Sequence, residues 1–405
     1  MARSEREWDL RTTLVHAGER IPPQAGYPTV HDIVVSNSFV PESPEAADAI
    51  LGGQRHGYTY SRHNNPTVDA LAEAVRRLEG GECGLAYSSG MAAVHAALLA
   101  TAVAPGDAIV VSRDLYGASI NLTQELFAPF GVTVVQANLV DLEEAASVLR
   151  RVRPKVVLFE VLSNPLLRVV DGAALTAMAH DVGAQVIVDN TFTTPLLVRP
   201  LEFGADLVVH SATKYLGGHG DAVGGVVVTY QRYYERMHRQ QKLLGAVLGP
   251  FEAWLIHRGL KTLALRFERQ CDNAAALAER LVASGRFRRV HYPLLPDHPE
   301  HDRIRHVTRD GRGGAVVTLE LPGGKPEVFE FLRSLELVVP ATTVGDVYSL
   351  ALYPVMASHR SQTPEERAAM GITEGTVRIA VGIEAVEDIA EDLIAAADRV
   401  AATRK

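Results

Sequence analysis

The stretch Val186-Ile187-Val188-Asp189-Asn190-Thr191-Phe192 sets three β-branched residues directly ahead of a carboxylate, with an amide and a hydroxyl behind it. Unbroken rather than alternating apolarity marks a strand with both faces covered, the habit of parallel sheets sandwiched between helices. The same texture recurs on either side. Short apolar runs at 84–87, 108–111, 132–136, 156–159, 207–209 and 225–228 are each bounded by Gly, Asp, Asn, Ser or Pro, and most lead into a helix-like stretch. Seven such strands predict one large α/β domain over residues 63–250, built on a mostly parallel sheet. Its first helix is expected over 68–78, where Val68, Leu71, Ala72, Val75 and Leu78 keep helical spacing and Gly80-Gly81 supplies the stop.

Residues 1–62 are polar and interrupted by Pro22, Pro23, Pro28, Pro41 and Pro44, and read as an arm. Past residue 250 one long helical stretch, 251–284, leads into a smaller α+β domain, 251–405, with strands at 314–321 and 376–381 and helices at 326–335 and 385–402. A chain of 405 residues, 47% hydrophobic, is long enough for two or three units around a sizeable core. Its 40 basic and 48 acidic residues leave a net charge of 40 − 48 = −8, spread along the length, which disfavours a nucleic-acid partner. The longest apolar run, 96–104, falls far short of the roughly 20 residues of a membrane helix. An N-terminus that carries acids and has no apolar signal core points to a cytoplasmic protein. Two cysteines, Cys83 and Cys271, make neither a disulfide framework nor a Cys-rich metal site.

Ligands of open parallel sheets sit at the C-terminal ends of the strands, and four polar constellations fall there. Tyr87-Ser88-Ser89-Gly90-Met91 joins a strand to an Ala-rich helix, whose free N–H groups and dipole suit an anion. Asp189 closes its strand in low dielectric and needs a cationic partner. In Val209-His210-Ser211-Ala212-Thr213-Lys214-Tyr215-Leu216-Gly217-Gly218-His219-Gly220-Asp221, a lysine follows a buried strand, where a lowered pKa makes it an amine nucleophile. Ser211 and Thr213 beside it suit a phosphate. Tyr60-Ser61-Arg62 pairs a phenol with a guanidinium, another phosphate-recognising set. One ligand uses all four: pyridoxal 5'-phosphate (PLP), with Lys214 for its aldehyde and Asp189 for its ring nitrogen.

The motifs Tyr60-Ser-Arg-x-x-Asn-Pro-Thr67, Ser89-Gly-Met-Ala-Ala93, Val188-Asp-Asn-Thr-Phe192, Ser211-Ala-Thr-Lys214 with Gly218-His-Gly-Asp221, Arg258-Gly-Leu-Lys-Thr262 and Val377-Arg-x-x-Val-Gly-Ile-Glu384 resemble the cysteine/methionine metabolism group of PLP enzymes. That group includes cystathionine γ-lyase, methionine γ-lyase, cystathionine γ-synthase and O-acetylhomoserine sulfhydrylase. The resemblance, from about residue 10 to 400, implies a fold-type I PLP enzyme, a homotetramer of two dimers with active sites shared across each dimer, and a small amino-acid substrate. It further implies Lys214 as the Schiff-base lysine and Asp189 as the pyridinium partner. Ser89, the Gly90 and Met91 backbone, Ser211 and Thr213 would hold the phosphate, joined by Tyr60 and Arg62 of the neighbouring chain. Tyr116 would stack on the ring and assist proton transfer. Arg378 would clamp the substrate carboxylate, Asn164 would lie beside both the cofactor O3′ and that carboxylate, and Thr343 and Tyr348 would also face substrate.

Departures from the group's pattern bear on substrate. In Thr343-Val-Gly-Asp-Val-Tyr-Ser-Leu350, Tyr348 stands where cystathionine-handling members often keep a glutamate, so a neutral phenol replaces a charge suited to a distal ammonium. Position 118 is Ala, where the best-known methionine γ-lyases carry cysteine, and Leu162 stands where proline is usual. The expected reaction is γ-elimination on cystathionine or methionine, releasing 2-oxobutanoate, ammonia and a thiol; γ-replacement is the alternative. Asp297-His-Pro-Glu-His-Asp302 with His306 resembles a metal cluster, but Pro299 breaks the helix that would align such ligands, and no metal is expected.

Overall fold

The computed structural model describes residues 8–19, 28–360 and 362–403. The readings placed on residues 1–7, Pro22 and Pro23 lie outside them. Seven strands, β1 (Cys83–Tyr87), β2 (Ala108–Ser112), β3 (Thr133–Ala137), β4 (Val156–Glu160), β5 (Gln185–Asp189), β6 (Leu207–Ser211) and β7 (Gly225–Thr229), form one sheet in the order β1-β7-β6-β5-β4-β2-β3. All pair in parallel except β7, which runs antiparallel to both β6 and β1. The C-terminal ends of β1, β2, β4, β5 and β6 therefore share one rim.

The unbroken apolar runs have the cause expected of them. Val157, Phe159, Val186, Val188 and Val208 enter one core, while Val156, Leu158, Ile187, Leu207 and Val209 enter another on the opposite face. Each such side chain, withdrawn from water, contributes roughly 1.5–3 kcal/mol. A one-residue slip would exchange two sets that are equally apolar, so register is fixed by the polar residues at the rim.

The helix Pro66–Glu79 is N-capped by Asn65 and ends on Gly80 in the left-handed region. The arm is not wholly irregular: Leu10–His16 and Pro44–Leu51 are helical, and Leu14 joins the core of the large sheet. The single helix expected over 251–284 is instead two, Pro250–Leu260 and Leu263–Ser284. The first ends in tight turns, Lys261 N–H to Arg258 and Thr262 N–H to Gly259, and the Arg266 guanidinium takes the Gly259 carbonyl at 2.8 Å. A second sheet, order β10-β11-β12-β9-β8, comprises β8 (Arg289–His291), β9 (Val316–Glu320), β10 (Val339–Pro340), β11 (Leu350–Leu352) and β12 (Thr376–Ala380), with its own core.

Candidate active site

At the shared rim lies a cavity of about 490 Å³, closed on one side by the second sheet's loops. Its floor begins with the helix Gly90–Ala100. Ser89 Oγ accepts the Ala92 N–H at 3.1 Å, so the serine expected to bind a phosphate serves as the helix cap while still lining the cavity. Gly90 lies against β6: a Cβ there would stand 2.7 Å from Ser211 Cβ. Only glycine allows that approach, which sets the unbonded first-turn N–H groups of Gly90 and Met91 beside the Ser211 hydroxyl, an anion seat. Thr213 Oγ1 accepts the Gly224 N–H at 3.0 Å and braces the loop that follows β6.

Asp189 ends β5 facing the cavity. Its Oδ1 accepts from Thr191 N–H at 3.1 Å and from Thr191 Oγ1 at 2.5 Å, and Thr191 Oγ1 in turn accepts the Ser211 N–H at 2.8 Å. Burial raises the Asp189 carboxyl above its usual range, against the Thr191 hydrogen bonds and the nearby His210. A cation offered at its free oxygen would reverse that shift. Tyr116 lines the same cavity, and its backbone N–H donates to Glu160 Oε1 at 3.0 Å.

Lys214 Nζ donates to Thr343 Oγ1 at 2.8 Å. Burial and the Arg378 charge lower its pKa, with Asp346 opposing. Arg378, in the middle of β12, donates from Nη2 to the Thr343 carbonyl at 2.8 Å and from Nη1 to Asn164 Oδ1 at 3.4 Å, and its buried Nε has no partner. Among the described residues this guanidinium has no carboxylate. An amine, a carboxylate, an anion seat and an unpaired guanidinium thus open on one space, with Met91, Val344 and Leu352 as apolar wall.

Tyr60 and Arg62, expected to serve the neighbouring chain's site, and Tyr348, expected at the substrate, do not line this cavity. Tyr60 is exposed, and the Arg62 guanidinium stacks over its ring at 5.6 Å while donating to the Lys242 carbonyl; neither lines this cavity. Tyr348 is also outside the lining, its hydroxyl over Gly220, where a Cβ would come within 2.8 Å. The His-Pro-Glu-His motif has a structural use: Glu300 takes Arg168 Nε at 3.0 and 3.1 Å, and His298 is buried under the loop that carries Asn164. Among the described residues no group of acids, histidines and cysteines is placed to hold a metal. Sequence reasoning missed Glu160, Thr191 and Asp346. Glu160 follows its apolar run as Asp189 follows its own, so the same signal was present.

A model of the Cys/Met metabolism PLP-dependent enzymes matches residues 11–398. The chain belongs to this family. The L-methionine gamma-lyase of Pseudomonas putida is 39% identical over 380 residues, 93% of this chain and 92% of that protein. The cystathionine gamma-lyase of Bacillus subtilis is 38% identical over 386 residues, 95% and 97% of the two chains. Among solved structures, the cystathionine gamma synthase of Xanthomonas oryzae pv. oryzae, in complex with aminoacrylate and cysteine, matches with a TM-score of 0.91 at 38% identity, covering 98% of this chain and 100% of that one. The fold is accordingly that of the fold-type I PLP enzymes, and the family's cofactor is PLP. The cavity fits it: an anion seat at a helix N-terminus, a carboxylate that lacks its cation, and a buried amine of lowered pKa stand around one space. No described helix is long and apolar enough to cross a membrane.

Proposed function

We propose that this PLP enzyme catalyses γ-elimination on a thioether amino acid of the methionine or cystathionine type, releasing 2-oxobutanoate, ammonia and a thiol. The observation that carries the reading is the buried Arg378 guanidinium, unpaired among the described residues and tied through Thr343 to the Lys214 amine. An α-amino acid supplies the carboxylate this guanidinium lacks, which brings its Cα to the amine.

When bound, PLP supplies an electron sink for the carbanion left at Cα. Asp189 would hold the proton on the ring nitrogen, and Gly90, Met91, Ser211 and Thr213 would hold the phosphate. Arg378, steered by Asn164, orients the substrate carboxylate in a fork. Lys214, its amine kept uncharged more readily by burial, takes the proton from Cα and moves one at Cβ. The Tyr116 hydroxyl gives a proton to the departing sulfur. The apolar wall of Met91, Val344 and Leu352 suits an uncharged tail, and the likeness to an L-methionine gamma-lyase supports the same substrate class.

γ-Replacement is the second reading, favoured by the likeness to a cystathionine gamma synthase. The purified PLP-loaded protein is given L-methionine, L-cystathionine and O-acetyl-L-homoserine separately. Prompt 2-oxobutanoate from a thioether supports the lyase, and pyruvate means β-elimination. Little keto acid until a thiol is added, then a new amino acid, means replacement.

Tyr60 and Arg62, turned away from their own cavity, are available to a neighbouring chain. The proposed assembly is a dimer of dimers with shared sites, in the cytoplasm. Mixing inactive Arg62→Ala and Lys214→Ala proteins should then restore activity; no restoration after subunit exchange contradicts sharing.

A further inference from the structure

The cavity holds a second carboxylate that the mechanism above does not use. Glu160 ends β4 directly beside Asp189 at the end of β5, the two being register partners, and it lines the same space. Its Oε1 accepts the Tyr116 N–H at 3.0 Å, and its Oε2 is buried with no hydrogen-bond partner. A ring nitrogen can pair with one carboxylate only. Two ionised carboxylates at neighbouring strand ends, withdrawn from water, repel strongly, so one of them keeps its proton.

The surroundings decide which. Asp189 receives two hydrogen bonds from Thr191 and faces His210, all favouring its ionised form. Glu160 receives the Tyr116 hydrogen bond, and the neighbouring charges that act on it most are the carboxylates of Asp189 and Asp114. Burial and those two charges push its carboxyl well above the usual range, with the Tyr116 N–H opposing. The cavity's cations are engaged elsewhere, Lys214 on Thr343 and Arg378 on Thr343 and Asn164.

We infer that Glu160 is a neutral carboxylic acid that leaves its strand-end neighbour Asp189 as the ionised member of the pair for the cofactor's ring nitrogen, while its Oε1 fixes the backbone of Tyr116. It is a positioning residue. The inference rests on PLP as cofactor and is independent of which amino acid is the substrate.

The test compares cofactor-free wild type, Glu160→Gln and Glu160→Ala, titrated with PLP and followed by the absorbance of the bound chromophore. Glutamine keeps both a donor and an acceptor without charge. The dissociation constant should stay within about twofold in Glu160→Gln and weaken by about tenfold in Glu160→Ala, the weight of one buried hydrogen bond. Equal weakening in both variants would mean that the charge is needed, and an unchanged Glu160→Ala would mean that nothing is; either overturns the inference. Should the alanine variant not fold, infrared difference spectra of wild type minus Glu160→Gln decide. Loss of a protonated-carboxyl stretch supports the neutral acid, and loss of carboxylate bands overturns it. Failure of the wild type to take up PLP would overturn the cofactor assignment itself, a result read separately from the variants.

Discussion

Replacing Arg378 with Gln separates carboxylate recognition from everything else the cavity does. The guanidinium is 3% exposed, donates to the Thr343 carbonyl at 2.8 Å and to Asn164 Oδ1 at 3.4 Å, and keeps a buried Nε without a partner. Burial draws its pKa down to about 10, so at neutral pH it remains a cation, with no carboxylate partner among the described residues. A hydrogen bond to a charged group contributes roughly 1.5–3 kcal/mol, which converts to a preference of about 10- to 150-fold for a substrate that carries the carboxylate. The assay compares kcat/KM for L-methionine and for its α-amide, in wild type and Arg378→Gln, with PLP content measured in parallel. Wild type should prefer the acid by that factor. In the variant the preference should fall towards parity, mainly through KM, while PLP content holds. An equal preference in both proteins would refute the assignment, and loss of PLP would place Arg378 in the cofactor seat instead.

Asp346 raises the Lys214 pKa against burial and Arg378, so Asp346→Asn removes a negative charge that favours the ammonium. The pH at which cofactor-free protein begins to capture PLP should therefore move downward; an upward move contradicts the reading. His298 is buried and neutral, its pKa lowered to about 4 chiefly by burial. Between the ordinary histidine value and about 4 the unfolded chain binds the extra proton, so stability falls as pH falls, by roughly 3 kcal/mol in full. His298→Gln should show a shallower loss of melting temperature from pH 7 to pH 5, and parallel curves would sink this account. Gly90→Ala places a Cβ 2.7 Å from Ser211 Cβ, an overpacking of about 1–3 kcal/mol that should appear as weaker PLP binding. Unchanged affinity would remove the helix terminus from the phosphate seat.

The large sheet was legible because β4, β5 and β6 bury both faces, which leaves no polar residue inside the run and puts the first one at the rim. Asp189 and the Ser211–Lys214 segment were found by that signal. Glu160 carries the same signal and was overlooked because its run lacked a recognised motif. The short strands β8, β10 and β11, two or three residues each, carry no period to read. The break at Lys261 was hidden because the apolar spacing continues across it, and the turn depends on Arg266 reaching back to the Gly259 carbonyl. Tyr348 was placed by alignment alone, and its hydroxyl lies over Gly220 rather than in the cavity lining.

Thr343 belongs to the C-terminal unit, yet its hydroxyl holds the amine of the large domain and its carbonyl holds the guanidinium of β12. The two cations are therefore not independently adjustable. Any rotation of the smaller unit that re-aims the carboxylate fork also pulls on the lysine, and any residue change that shifts position 343 alters recognition and proton chemistry together. Even the apolar wall is bound to that tether, for Val344 follows Thr343 in the chain and Leu352 is the register partner of Arg378, so a change of substrate through either residue acts on the lysine as well.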